Sequence, residues 1–190
     1  MKESLSGTVD QGSVWRRWDP HLHAPGTLLN DQYTADWEAF LQAVNTASPR
    51  IEALGVTDYF CIRGYQQARA HKVAGKLPNV GLLFPNVEMR LDIKTEKAKG
   101  INIHLLFSPA DQEHETHILR LLGGLSFDFR EVAHPCTPQG LVALGRAFHR
   151  KPLDEDAAMS IGAMQFKTTL PALRALMKDR WAIENCLAGC

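Results

Sequence analysis

Two histidines one residue apart, His21 and His23, lie in the stretch Trp18-Asp19-Pro20-His21-Leu22-His23. In an extended strand successive side chains point to opposite faces, so both imidazoles face one way and Leu22 the other. Neutral imidazole is the commonest protein ligand for zinc-like ions, which need several such groups converging on one point. Glu88, between Val87 and Met89, and His104, inside Ile101-Asn-Ile-His-Leu-Leu-Phe107, are the candidates to complete the set. Asp58 ends a third apolar stretch, next to Tyr59. A carboxylate in a buried strand is costly unless it is paired or holds a cation. Glu88 has two oxygens, so it is the expected bridge between two metal ions. Such a pair can lower the pKa of a bound water and clamp a phosphate. Taken singly, each residue has a plainer reading: a chance His-x-His, a hydrogen-bonded core histidine, a salt-bridging glutamate, a helix-capping aspartate. Together, in this order on successive strands, they point to metal chemistry.

The elements that must position them follow from patterning. Trp37, Phe40, Leu41 and Val44 recur at helical spacing after Asp36, predicting a helix to about Asn45. Ile51 to Phe60 reads as a buried strand and Gly64 to Ala74 as a helix. Val80 to Phe84, continued by Asn86 to Ile93, reads as a strand that carries Glu88. Lys94 to Gly100 is a charged, hairpin-like turn before the strand Ile101 to Phe107. Helices are predicted over Asp111 to Leu122, after the Thr137-Pro138 start, over Asp154 to Phe166 and over Leu170 to Trp181. Asn185 to Cys190 reads as the beginning of another buried strand. Strand and helix alternate, which argues for an α/β fold with a largely parallel sheet. His71, His114, His117 and His149 fall on predicted helices and read as surface residues.

Composition sets limits. A chain of 190 residues with 45% hydrophobic content can bury a real core. The 21 basic and 21 acidic residues balance, so net charge gives no support for nucleic-acid or membrane affinity. No apolar run is long enough to span a bilayer. Cys61, Cys136, Cys186 and Cys190 form no Cys-x-x-Cys pair, and they read as reduced thiols of a cytoplasmic protein. Residues 1–13 read as a flexible lead-in and 14–190 as one domain. Trp15-Arg-Arg-Trp18 reads as an aromatic lid on one end of it, with a nucleic-acid contact as the sharper alternative.

These residues resemble the PHP (polymerase and histidinol phosphatase) family of metal-dependent phosphoesterases. Its members open with a strand bearing His-x-His, here His21 and His23, followed by a Thr-Asp-His turn, here Thr57-Asp58-Tyr59. A strand bearing a glutamate follows, here Glu88, then a strand of the type His-Ile-Leu, here His104-Leu-Leu. Trp15-Arg-Arg-Trp18, Gly55-Val-Thr-Asp-Tyr-Phe60, Leu83-Phe-Pro-Asn-Val-Glu88 and Glu184-Asn-Cys-Leu resemble the amino-terminal part of large PHP proteins in which an AAA- or SMC-like ATPase follows. The resemblance implies a distorted (βα)7 barrel of parallel strands, with the metal cluster at its carboxyl-end mouth. Tyr59 stands where the family has histidine, and the family's terminal Asp-x-His does not occur, so the barrel is expected to be incomplete at its carboxyl end.

The function so implied is hydrolysis of a phosphate ester, in a nucleotide, a nucleic acid or another phosphorylated substrate. Zn, Mn or Fe would be held by His21, His23, Glu88 and His104. Asp58 and Glu88 would take the catalytic roles, and Asp31, Tyr59 and His134 are additional candidates. The alternative is a degenerate, inactive domain that regulates or docks an ATPase. No Walker-type Gly-x-x-x-x-Gly-Lys loop occurs, so an ATPase activity would belong to a partner or a further region. An unfinished barrel leaves sheet edge unpaired, which predicts a homo-oligomer.

Overall fold

The computed structural model describes residues 16–94, 97, 100–149 and 151–189. The 1–13 lead-in, Trp15, Cys190 and much of the turn between Lys94 and Gly100 lie outside them. Three strands, β1 (Arg17–His23), β2 (Ile51–Tyr59) and β3 (Leu82–Lys94), run parallel and are joined through α1 (Trp37–Thr46) and α2 (Arg63–Val73). The side chain of Asp36 caps α1 by accepting from the Ala39 N–H, as the sequence predicts. β4 (Gly100–Phe107) then pairs antiparallel with β3.

The expected barrel of seven parallel strands is not what forms. The main sheet has five strands in the order β1-β2-β3-β4-β7, it is mixed, and the described residues do not close it. The reason lies in the link after β3. A parallel crossover needs a dozen or more residues, and the few between Lys94 and Gly100 allow only a reversal of direction. Two further strands that sequence reading missed, β5 (Ser126–Phe129) and β6 (Val132–Pro135), form a separate hairpin. Arg130 and Glu131, at its turn, both have positive φ, 52° and 66°, the left-handed pair that matches strand twist in a two-residue turn.

Helices α3 (His114–Gly123), α4 (Pro138–Phe148) and α5 (Glu155–Gln165) follow the expected spans closely. The helix predicted over Leu170 to Trp181 is two, α6 (Leu170–Leu176) and α7 (Arg180–Asn185), because Asp179 caps a fresh start through Trp181 N and Ala182 N. β7 (Cys186–Gly189) is a strand, but at the sheet edge, with only Cys186 buried. His114 is not a surface residue. It is buried, with its ring between the Tyr65 hydroxyl at 2.8 Å and the Asp111 carbonyl at 2.6 Å.

One apolar core joins the sheet to the helices, with Phe40, Leu54, Tyr65, Leu105, Ile118, Leu141 and Phe166 among its members. Trp18 is not a packed lid: it is 59% exposed, beside Phe84. No described helix is long and apolar enough to cross a membrane.

Candidate metal centre

Register builds the centre. Tyr59 on β2 is opposite Glu88 on β3, which is opposite His104 on β4. One row away, His23 is opposite Thr57, and Thr57 is opposite Asn86. Because strand side chains alternate, Thr57, Tyr59, Asn86, Glu88 and His104 share one face of the sheet.

His21 joins them through a bulge. The pairing steps from Asp19↔Leu54 to Leu22↔Val56, so β1 carries one extra residue there, at Pro20-His21. The Pro20 carbonyl lies directly over Gly55, where a Cβ would collide with it and with the Phe84 ring. The Asn86 amide donates to the same carbonyl at 2.8 Å and to Thr57 Oγ1 at 3.0 Å. Glycine at 55 makes room for the bulge and Asn86 ties it down.

Three ligand atoms converge. His21 Nε2 and His23 Nε2 are 3.2 Å apart, and each is 3.5 Å from Glu88 Oε2. A tetrahedron with ligands about 2.0–2.1 Å from a zinc-like ion has edges of roughly 3.3 Å. The triangle therefore already has the size of one tetrahedral face. His104 approaches from β4, its ring centroid 4.4 Å from that of His21. The ligand atoms of His21, Glu88 and His104 lie within 4.8 Å of one another.

The hydrogen bonds leave the right atoms over. Glu88 Oε1 accepts from the Tyr59 hydroxyl at 2.9 Å and from the Asn102 amide. Glu88 Oε2 is buried and, among the described residues, has no hydrogen-bond partner. A buried carboxylate oxygen without a partner is expensive, and a cation is the group that would relieve it. Asn86 Oδ1 sits 3.1 Å from His104 Nδ1, so that nitrogen donates and Nε2 keeps its lone pair for an ion. Burial pulls His23 and His104 below the ordinary imidazole pKa, with the Glu88 charge opposing it, so both rings are neutral and able to ligate near pH 7. His23 is nearly enclosed, but the His21 side chain is 47% exposed, which leaves the centre open to solvent on that side.

The expected bridge between two ions does not fit this arrangement. Tyr59 and Asn102 occupy one oxygen of Glu88, and one remains. Tyr59 is thus a hydrogen-bond donor to the centre, and burial followed by the Glu88 contact pushes its hydroxyl up to about 12. Asn30, with φ of 61°, donates in turn to the Tyr59 oxygen at 3.1 Å.

Other candidates lie elsewhere. Asp58 is buried on the opposite face of β2, where Oδ2 accepts from the Gly64 N–H at the start of α2. Asp31 spends both oxygens on the backbone of Gly26, Tyr33 and Ala35 and so shapes the loop after β1. His134 is buried in β6 opposite Phe127, and among the described residues its Nε2 lacks a partner. None of the three is in the His–Glu group. Sequence reading missed Asn86 and Asn102. The signal was there: each stands two residues before a named ligand, Glu88 or His104, and so on the same face. Comparison with models of known protein families and with curated proteins finds no match for this chain.

Proposed function

We propose that this chain is the metal-binding core of a hydrolase acting on phosphate esters, working with one transition-metal ion. His21, His23 and Glu88 would hold the ion through two nitrogens and one oxygen, leaving a position for water or substrate, with His104 beside them. That donor set suits Zn, Mn or Fe. The observation that carries the reading is the unpartnered Glu88 Oε2, set 3.5 Å from two imidazole nitrogens. When bound, such an ion supplies Lewis acidity toward phosphoryl oxygen and acidifies water. The residues supply the rest. Tyr59 and Asn102 fix the Glu88 carboxylate by one oxygen, Asn86 fixes the His104 ring, and the half-exposed His21 leaves room for substrate. The described cysteines, Cys61, Cys136 and Cys186, are unpaired and buried, which supports a reducing, cytoplasmic setting.

The second reading, a degenerate scaffold that docks a partner, is favoured by one observation. Tyr59 and Asn102 block the second Glu88 oxygen, and with it the paired-ion chemistry. Hydrolysis decides between them. The chain loaded with Zn, Mn or Fe is expected to cleave p-nitrophenyl phosphate or its bis-ester, and His23→Ala is expected to abolish that cleavage. No turnover with any of the three metals contradicts the enzyme.

A further inference from the structure

Beyond the metal centre, the same sheet face continues into a cavity of about 540 Å³ lined by Arg90, Asp92, Gly100, Asn102 and Lys167, among others. Asn102 is shared: its amide holds Glu88 and its other side lines the cavity. Arg90 is two residues past Glu88 on β3, so it is on the ligand face, about 6.6–6.8 Å along the strand. Its guanidinium carbon is 5.6 Å from the centre of the Tyr59 ring, the ring whose hydroxyl bonds Glu88.

The two cations meet through backbone pairing. β2 ends at Tyr59, opposite Glu88, and past that point residues 167–168 take its place beside β3. Thr168 N donates to Arg90 O and Asp92 N donates to Thr168 O, both at 2.8 Å. This sets Lys167 next to Arg90 although the two are far apart in sequence.

Among the described residues neither charge is firmly neutralised. Among the described residues Arg90 makes no salt bridge, and the Met164 carbonyl takes one guanidinium nitrogen at 2.8 Å, which orients the group and leaves other N–H donors over. Lys167 pairs with Asp92 at 3.4 Å, but the Asp92 side chain is exposed and that of Lys167 half-exposed, and solvent-facing pairs of this kind exchange readily.

We propose that Arg90 and Lys167 form an anion subsite that takes a second anionic group, phosphate or carboxylate, of the substrate handled at the metal centre. The substrate class is then a phosphate ester with another negative group next to the scissile one. This rests on the hydrolase reading for the substrate, but the subsite itself needs no metal.

The test is titration of the metal-free chain with inorganic phosphate, followed by calorimetry and by phosphorus NMR line broadening. Lys167→Ala and Arg90→Ala are each expected to weaken binding about tenfold, as loss of a charge-assisted contact should. Arg90→Lys should retain part of it, and Asp92→Asn, which removes the competing carboxylate, should tighten it. Asp92 is exposed and Lys167 half-exposed, so those two variants test the idea even if Arg90→Ala does not fold. Equal affinity in all variants, or no binding to the unaltered chain, overturns the subsite and leaves the metal reading standing. Phosphate binding with this pattern in a chain that takes up no metal leaves the subsite standing and removes the hydrolase.

Discussion

The side-chain amide of Asn86 spans from β3, past Gly55 on β2, to the Pro20 carbonyl on β1 at 2.8 Å, while its oxygen faces His104 Nδ1 at 3.1 Å. One buried residue therefore holds the bulge that presents His21 and the ring that presents His104. Asn86→Leu removes both restraints and leaves the Pro20 carbonyl without that donor. Partners of this kind are worth about 10–100-fold in metal affinity. The variant should lose affinity in that range by competitive chelator titration, while Asn86→Asp, which keeps an acceptor for His104, should lose less. Equal affinity in all three proteins would remove Asn86 from the centre.

Gly55 makes the complementary prediction. A Cβ there meets the Pro20 carbonyl and the Phe84 ring, so Gly55→Ala must displace the bulge. Overpacking of this sort costs about 1–3 kcal/mol. Chemical denaturation should show that loss, together with weakened metal binding, because His21 moves with Pro20. Loss of stability with unchanged affinity would separate the bulge from the site.

Tyr59→Phe tests why one ion is expected rather than two. The change removes the 2.9 Å donor to Glu88 Oε1 and leaves Asn102 alone on that oxygen. Metal binding should persist with affinity lowered by up to about tenfold, the scale of one lost partner to a ligating carboxylate. The check is a chelator titration of the variant beside the unaltered chain. Complete loss of binding would make Tyr59 a ligand, against the geometry described.

How far the sequence reveals this arrangement depends on the range of each signal. Alternation within a strand is local, so His21 and His23 on one face, and the burial of Glu88, are readable from neighbours alone. The Asp36 and Thr137 caps are readable for the same reason. The barrel expectation failed because it carried an architecture over from a resemblance, past the short reversal at Lys94 to Gly100. The bulge at Pro20 was hidden because it depends on Gly55 and Asn86, residues that meet β1 only after three strands have paired. The placement of Asp58 was misjudged for a simpler reason. A Thr-Asp-Tyr run puts its middle residue on the opposite face from its neighbours, and Asp58 is that middle residue.

Asp58 carries a pH signature of its own. Burial raises its pKa from 3.8 to about 6, against the Thr27 hydroxyl and the Gly64 N–H, which favour the charge. The folded state thus binds the proton more tightly than the unfolded chain. This stabilisation is fully present below about pH 4 and is lost as pH rises through about 6, an effect of about 3 kcal/mol. Asp58→Asn keeps an acceptor for Gly64 and removes the charge. It should become more stable relative to the unaltered chain as pH rises from 4 to 7, measured by thermal unfolding at each pH. A difference that stays constant with pH would mean that Asp58 is not buried as described.

The proposed binding of one ion by His21, His23 and Glu88, with His104 beside them, is tested most directly by titrating Zn into the metal-free chain and recording X-ray absorption at the bound metal. One equivalent is expected, with about four nitrogen or oxygen neighbours near 2.0–2.1 Å, the outer-ring scattering of bound imidazole, and loss of binding in Glu88→Gln. A chain that takes up no metal, or one whose uptake is unchanged in Glu88→Gln, contradicts it.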